Sequence, residues 1–353
     1  MTDVLDINIT KVERSKLNDL NLENIPFGKY FTDHMLEADY ENGEWKNIEI
    51  KPYQPLLLEP TTSALHYGQA IFEGIKAFRN DKGEAFIFRP YENFTRFNLS
   101  AQRMNMPEVS EELFIEGMRQ LIELDKNWIP AKPDHSLYIR PLMFATDTML
   151  GVKPSDTYKF LIILSPAGPY HTHPLKIAVE EKYTRAAPGG VGFSKNAGNY
   201  GGSMYPATQA RAKGYDQVLW TDAFEHKWLH EVGMMNIGFV INNVFVTPEL
   251  GDTVLKGVTR DSVITLLNEM GIKTEERKIS IDEVIAAYNK GELTEVFGMG
   301  TAAVISLVEE LKYEDVVMKF DTTNFQVARK VKQQLNAIRE SKVEDVNGWM
   351  FRI

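Results

Sequence analysis

The chain has no cysteine among its 353 residues. Disulfides, a thiolate nucleophile, zinc–sulfur centres and a thiol redox switch are therefore excluded. Long apolar runs are also missing: no stretch approaches the roughly 20 residues that a membrane-spanning helix needs. Positive charge is in short supply, with 39 Lys and Arg against 49 Asp and Glu, a formal net charge of −10. Such a surface repels phosphate backbones and anionic lipid, so neither nucleic acid nor a membrane is an expected partner. No internal repeat and no low-complexity segment stands out. Histidine is sparse, and His171 and His173 lie in a proline-flanked stretch that suits solvent, so no metal site is expected. The N-terminal stretch MTDVLDINITKVERSK is acidic and polar, unlike a secretory or mitochondrial presequence. The expectation is a soluble cytoplasmic enzyme.

What is present is ordinary for a globular protein: 43% hydrophobic and 25% charged residues. The length favours two domains. EAFIFRP and KFLIILSP read as buried strands, and SEELFIEGMRQLIELDKNWIP reads as a helix behind a Ser cap. The stretch AGPYHTHPLK has two prolines, a glycine and no periodicity, which marks residues 167–175 as a linker. Beyond it, KIAVEEKY, QVLWTD, IGFVINNVFVTP and EVFGMG read as strands. YPATQARAKG, GVTRDSVITLLNEMG (closed by Gly271) and FQVARKVKQQLNAIRESK read as helices. The predicted architecture is α/β (α+β), with a domain at 1–166, the linker, and a second domain at 176–353.

Four clusters carry unusual letters. PGGVGFSKNAGNYGGS, residues 188–203, sets six glycines around Lys195 and Tyr200. Glycine clusters signal special backbone angles or close backbone approach, although a turn with a solvated lysine has the same letters. LHEVGMMNIGFVI puts Glu231 just ahead of an apolar strand, as an edge residue or a functional acid. Gly257, Val258 and Thr259 precede a helix, where a plain N-cap and an anion cup read alike. FGMGTAAV places Thr301 at a strand end, which equally suits a simple turn. Together they supply a lysine amine, an anion cup, a phenol and an acid, the parts that pyridoxal phosphate requires.

Seven motifs then occur in order: LHYGQAIFEGIKAFR, the R-x6-R-x3-S pattern of RPYENFTRFNLSAQR, YIRP, SKNAGNYGGS, EVGMMN, GVTRDS and GMGTAA. In that order the chain resembles the branched-chain amino acid aminotransferases, which are fold-type IV enzymes dependent on pyridoxal 5′-phosphate. The resemblance runs from about residue 27 to the C-terminus and is strongest toward the members that carry FTDHML and QVLW. It implies two domains: a smaller N-terminal α/β domain and a larger C-terminal one with a pseudo-barrel. The cofactor would lie in the interdomain cleft. It also implies amino-group transfer between leucine, isoleucine or valine and 2-oxoglutarate, giving glutamate. A role in branched-chain amino acid biosynthesis and a homodimer follow from the same resemblance. D-amino acid aminotransferase, aminodeoxychorismate lyase and R-selective amine transaminases share the fold and are the nearest alternatives. A non-catalytic carrier of the cofactor is the alternative from another class.

The resemblance also assigns roles. Lys195 is similar to the lysine whose amine joins the cofactor aldehyde and moves the substrate proton. Glu231 matches the acid facing the pyridine nitrogen, and Tyr200 the phenol at the 3′-oxygen. Arg96 matches the phosphate arginine, with Arg89 as its rival in the pair, and Val258, Thr259 and Thr301 complete the phosphate site. Thr301, Ala302 and Tyr138 match the α-carboxylate site, where Arg140 supports the phenol and suits the second carboxylate of 2-oxoglutarate. Phe27, Tyr67, Phe72 and Tyr170 would wall the side-chain pocket, with Leu150 and Val152 reaching in from the other subunit. Three positions depart from the pattern. Met234 is expected to narrow the pocket, and Lys256 to loosen the phosphate loop or add charge to it. Ala303 and Ser306 replace a redox CxxC of vertebrate relatives.

Overall fold

The computed structural model describes residues 6–20 and 25–353; the first five residues of the acidic N-terminal stretch lie outside the described ones. The chain divides into two compact units. The first comprises Met1–Tyr170, Ser194–Ala197 and Ile338–Ile353; the second comprises His171–Phe193 and Gly198–Ala337. The cut near 170 falls inside the linker expected from sequence, but two later segments return to the first unit. The first unit thus draws on three stretches of the chain and the second on two. The reason is long-range pairing. Ile71 bridges Asn196, and a C-terminal strand, Met350–Arg352, pairs with Phe86–Phe88.

The first unit is built on one mostly antiparallel sheet. Its strands are β1 (Asn8–Ile9), β2 (His34–Glu41), β3 (Glu44–Pro52), β4 (Ala70–Phe72), β5 (Ile75–Arg79), β6 (Ala85–Phe88), β7 (Ser136–Ala145) and β8 (Tyr158–Ala167). They run in the order β1, β3, β2, β8, β7, β5, β6 and the C-terminal strand, with β4 paired to β7. Helices α1 (Ser63–Tyr67), α2 (Pro90–Arg103) and α3 (Gly117–Leu124) accompany the sheet. Phe97, Phe114, Phe160, Leu36 and Ile139 are fully buried in its core. The long helix expected after Ser110 does start there, because the Ser110 hydroxyl accepts from the Leu113 N–H at 3.1 Å. It is not continuous. Glu112–Glu116 form a wider π turn before α3, and a 3-10 turn covers Lys126–Trp128. Where the π turn meets α3, residue 117 is a glycine because a Cβ there would stand 2.6 Å from Leu36 Cδ1. Asp33 and His34 pin the N-terminal segment. Asp33 accepts from Ser15 Oγ, the Lys16 N–H and Trp128 Nε1, which hold its carboxyl below the ordinary value although burial opposes them. His34 Nε2 accepts from the Val12 N–H at 3.0 Å, so Nδ1 is the donor to Asp125 at 2.7 Å.

The second unit contains a closed barrel. Its strands are β9 (Leu175–Val179), β10 (Gln217–Thr221), β11 (Leu229–Val232), β12 (Met235–Ile241), β13 (Val244–Thr247), β14 (Thr274–Glu276), β15 (Leu293–Gly300), β16 (Val304–Tyr313) and β17 (Val316–Lys319). Pairing runs β9, β10, β11, β12, β15, β16 and back to β9, closing a six-stranded ring. Closure removes free edges for these six strands. The β12–β13 hairpin turns on Asn242 and Asn243, both with positive φ, as a two-residue turn demands. Helices α4 (Ala197–Ala212), α5 (Val258–Glu269), α6 (Ile281–Asn289) and α7 (Val327–Arg339) complete the list. Helix α5 ends as the sequence suggested, with Gly271 at φ 75 just past it. The glycine cluster divides in two. Gly189 has positive φ, and a Cβ at Gly192 would collide with Ala186 and the Asp252 carbonyl. Gly201 and Gly202 lie inside α4, which begins well before the helix read from YPATQARAKG. There the run of small residues is helical, not a loop.

Candidate active site

In the first unit, Lys195 is fixed by its backbone. Its N–H donates to Ser100 Oγ at 2.9 Å, and its carbonyl accepts from the Phe72 N–H at 3.0 Å. Its ammonium lies 5.0 Å from the Phe72 ring centroid. Ser100 in turn donates to the Arg96 carbonyl at 3.0 Å, so the R-x3-S spacing on α2 ties the lysine segment to the arginine. Arg96 is buried and its guanidinium is gripped by Glu73. Nε meets one carboxylate oxygen at 2.7 Å and Nη2 the other at 2.8 Å, while Asn93 Nδ2 donates to Glu73 at 2.8 Å. Glu73 is completely buried. Burial would raise its carboxyl, but the Arg96 guanidinium, with Lys195 and Asn93, holds it below the ordinary value. Sequence reading passed over Glu73, because it sits in an apolar-looking FEGI segment whose partner is a turn of α2 far along the chain. Arg89 is used differently. It caps α2 with φ 48, stands 5.1 Å from the Trp349 ring and pairs with Glu92, so its role within the unit is structural.

Tyr138 and Arg140 project from the same strand, β7. Arg140 Nη2 donates to the Tyr138 hydroxyl at 3.1 Å and its Nε to the Glu73 carbonyl at 3.0 Å. The guanidinium also stacks 4.7 Å from the Phe72 ring. A Cβ at Gly74 would overlap the Tyr138 hydroxyl at 2.1 Å, which explains the glycine after Glu73. Phe27 packs edge-on against Tyr138 at 4.9 Å and Tyr170 at 5.0 Å. Four aromatic candidates, Phe27, Phe72, Tyr138 and Tyr170, are thereby linked through shared contacts. Tyr67 joins another set: its hydroxyl donates to the Leu150 carbonyl at 2.5 Å. Leu150 and Val152 themselves stand in the β7–β8 connection, 67% and 84% exposed.

In the second unit, Glu231 on β11 is buried. One carboxylate oxygen takes Arg185 Nη2 at 2.8 Å; the other accepts from the Leu255 N–H at 2.8 Å and Asn236 Nδ2 at 3.1 Å. Arg185 also donates to the Thr253 carbonyl at 2.5 Å. Neither Arg185 nor Asn236 was singled out by sequence, and only Asn236, inside EVGMMN, had a signal that could have found it. His230, beside this pair, is pushed down to about 4 by burial and by the neighbouring Arg185 cation, so it is neutral near pH 7. Val258 and Thr259 are buried at the first turn of α5, whose N-cap residue is Gly257. Gly257 precedes them because a Cβ there would lie 1.9 Å from Asn236 Oδ1. The main chain at this end thus lies hard against the Asn236 amide.

Thr301, Ala302 and Ala303 make the tight β15–β16 turn, which is completed by Val304 at φ 61. A β-branched residue in that region is strained, and such turns direct successive N–H groups to one side. Tyr200 lies half-buried in the first turns of α4. Met234 is 55% exposed at the β11–β12 turn. Its neighbour Met235 is buried and packs on Gly298 and Gly300. Ser306 is buried on β16 and Ala303 is half-buried in the turn.

Comparison with known proteins agrees with this chemistry. The family described as Amino-transferase class IV matches residues 70–311. Branched-chain-amino-acid transaminase 1 of Bacillus subtilis (strain 168) is 49% identical over 333 residues, covering 93% of this chain and 94% of that protein. Among solved structures, the branched-chain amino acid aminotransferase of Escherichia coli superposes with a TM-score of 0.75 at 28% identity. It covers 90% of this chain and 98% of that one. A T.th. branched-chain amino acid aminotransferase with pyridoxamine 5′-phosphate gives a TM-score of 0.73 at 26% identity, covering 89% and 97%. Family match, identity and fold concur, and the chain belongs to the class IV aminotransferases.

Proposed function

We propose that the chain catalyses reversible amino-group transfer between leucine, isoleucine or valine and 2-oxoglutarate, with pyridoxal 5′-phosphate as cofactor. The observation that carries this reading is the buried Glu231 carboxylate, gripped by Arg185, Asn236 and a backbone N–H. A buried carboxylate oriented in this way is suited to hold a proton on a pyridine nitrogen. When bound, the cofactor supplies an electron sink for the substrate Cα. The residues present fit such a group. Within the first unit the buried Arg96 offers a cation to a phosphate; within the second, the first turn of α5 offers N–H donors and Tyr200 a phenol. Lys195 provides the amine and takes the proton from the substrate Cα. Its pinned backbone leaves the flexible stem to carry the amine toward that atom.

The substrate α-carboxylate is taken by the Tyr138 hydroxyl and the N–H groups of Thr301 and Ala302. Arg140, fixed by Tyr138 and the Glu73 carbonyl, presents its remaining donors to the second carboxylate of 2-oxoglutarate or glutamate. Phe27, Phe72 and Tyr170 supply apolar wall, and each buried CH₂ of a branched side chain gains roughly 0.8 kcal/mol there. Tyr67 acts as a strut, through its bond to the Leu150 carbonyl. The exposed Leu150 and Val152 complete the pocket of a second copy, so the working form is a homodimer, in the cytoplasm. Among the described residues, no helix is long and apolar enough to cross a membrane. A steady-state panel of leucine, isoleucine, valine, phenylalanine and the D-isomers with 2-oxoglutarate tests the substrate class. A preference for D-isomers overturns it. Borohydride reduction with the cofactor, followed by peptide mapping, should label Lys195 and no other lysine.

A further inference from the structure

The connection between β7 and β8 combines two properties that seldom occur together. Its tip is apolar and exposed, with Leu150 and Val152 largely in solvent and Met149 partly so. A connection of this length with such a tip would ordinarily fold its apolar side chains back or stay disordered. Here the backbone is stitched at both ends and in the middle. Thr148 bridges Thr62, the Asp147 carbonyl accepts from the Ser63 N–H at 2.8 Å, and Tyr67 holds the Leu150 carbonyl. The centre of the stitching is the Asp147 side chain. One oxygen accepts from the Thr157 N–H at 3.1 Å and the Thr157 hydroxyl at 2.9 Å. The other accepts from the Asp156 N–H at 3.1 Å and Lys153 Nζ at 2.8 Å. Lys153 also meets Asp156 at 2.5 Å, closing the loop base on itself.

We propose that Asp147 is a positioning residue for side-chain recognition. It clamps the β7–β8 connection so that Leu150 and Val152 are held ready to form the apolar wall of a second copy's pocket. The proposal rests on the functional reading above for the destination of Leu150 and Val152; the clamp itself is read from the bonds to Asp147. Preorganisation is its physical content, since a wall already ordered before assembly does not lose that freedom on binding. The carboxyl is held at about 2 because the donors around it outweigh its burial, so the clamp stays charged at any pH where the enzyme would work.

A double-mutant cycle on the holoenzyme tests this. Asp147→Ala and Leu150→Ala should each raise the KM for leucine about fivefold, while kcat and the KM for glutamate stay within about twofold. The double variant should be no worse than the poorer single, because both changes remove the same wall. Asp147→Asn, which keeps one acceptor, should give a smaller shift with the same leucine-over-glutamate bias if the alanine variant fails to fold. Independently of activity, hydrogen exchange at the Asp156 and Thr157 N–H groups, which donate to Asp147, should be faster in Asp147→Ala than in the parent chain. Multiplying effects in the double variant, or an equal rise in both KM values, overturns the positioning role. So does unchanged exchange. If Leu150→Ala matters and Asp147→Ala does not, the clamp alone is wrong. If Leu150→Ala leaves the leucine KM untouched, the loop is no pocket wall, and the functional reading of Leu150 and Val152 falls with the proposal.

Discussion

Each of the two units buries one arginine–carboxylate pair among its candidate site residues, and the roles within the pairs are exchanged. On the functional reading proposed above, the working ion in the first unit is the cation, Arg96, and the carboxylate of Glu73 holds it by two parallel bonds. In the second the working ion is the anion, Glu231, and Arg185 holds it while a backbone N–H and Asn236 take the other oxygen. An isolated charge cannot be buried without a large desolvation cost, so a protein that needs a buried ion must also bury its holder. The holder spends its charge on the working group and leaves part of that group's hydrogen-bonding capacity for a ligand. On that reading Glu73 and Arg185 serve as holders of the buried ions beside them.

The largest test of this comparison is Glu231→Gln, which removes the working anion. Turnover at saturating cofactor should fall by about 100-fold or more, because a neutral amide does not hold a proton on the ring nitrogen. Near-normal turnover would show the acid to be structural. Removing a holder should act on stability first. Glu73→Gln leaves Arg96 buried against a neutral amide, and chemical unfolding of the cofactor-free chain should show a loss of about 3–5 kcal/mol. The same variant should also bind pyridoxal phosphate more weakly, since Arg96 is no longer oriented. A stable variant with unchanged cofactor affinity breaks the idea that Glu73 is a holder. Third, Arg96→Ala should weaken cofactor binding by about tenfold or more, the loss of about 1.5–3 kcal/mol from a charged hydrogen bond. Arg89→Ala, whose side chain is occupied by Trp349 and Glu92, should change that affinity little. The reverse ranking reassigns the phosphate arginine.

The smallest effect is expected at His230. The fold keeps this ring neutral, with its value lowered from the ordinary 6.5 to about 4, against Arg185 on one side and the Thr253 hydroxyl on another. Between those two values the unfolded chain binds the extra proton, so stability should decline as pH falls from about 6.5 toward 4. His230→Gln should flatten that decline in melting temperature without changing its high-pH plateau much. An unchanged slope would place the pH dependence elsewhere.

Much of the chemistry was legible in the sequence, and the reason is local. Lys195, Tyr200, Glu231, Val258, Thr259 and Thr301 each sit inside a short ordered motif, and motif order is a property of the string alone. Strands such as KFLIILSP and the α5 stop at Gly271 were readable from apolar runs and one special backbone angle. The glycines at 201 and 202 misled, because glycine permits a loop without requiring one and α4 absorbs them. The helix after Ser110 misled in the opposite direction: its periodicity says which face is buried, not that Glu112–Glu116 form a wider π turn.

Sequence by itself determined the composition class, the family motifs and the residue types available for catalysis, because these depend on neighbours a few positions apart. Only the tertiary structure decided that Glu73 grips Arg96, that Arg185 grips Glu231, and that Asp147 fastens the loop bearing Leu150. It also decided that the Lys195 segment and the chain's end belong to the first unit. Partner choice for a buried charge depends on which strands and helices meet and in what register. No local pattern encodes that, since the same carboxylate could be satisfied by any cation or N–H that folding brings within reach.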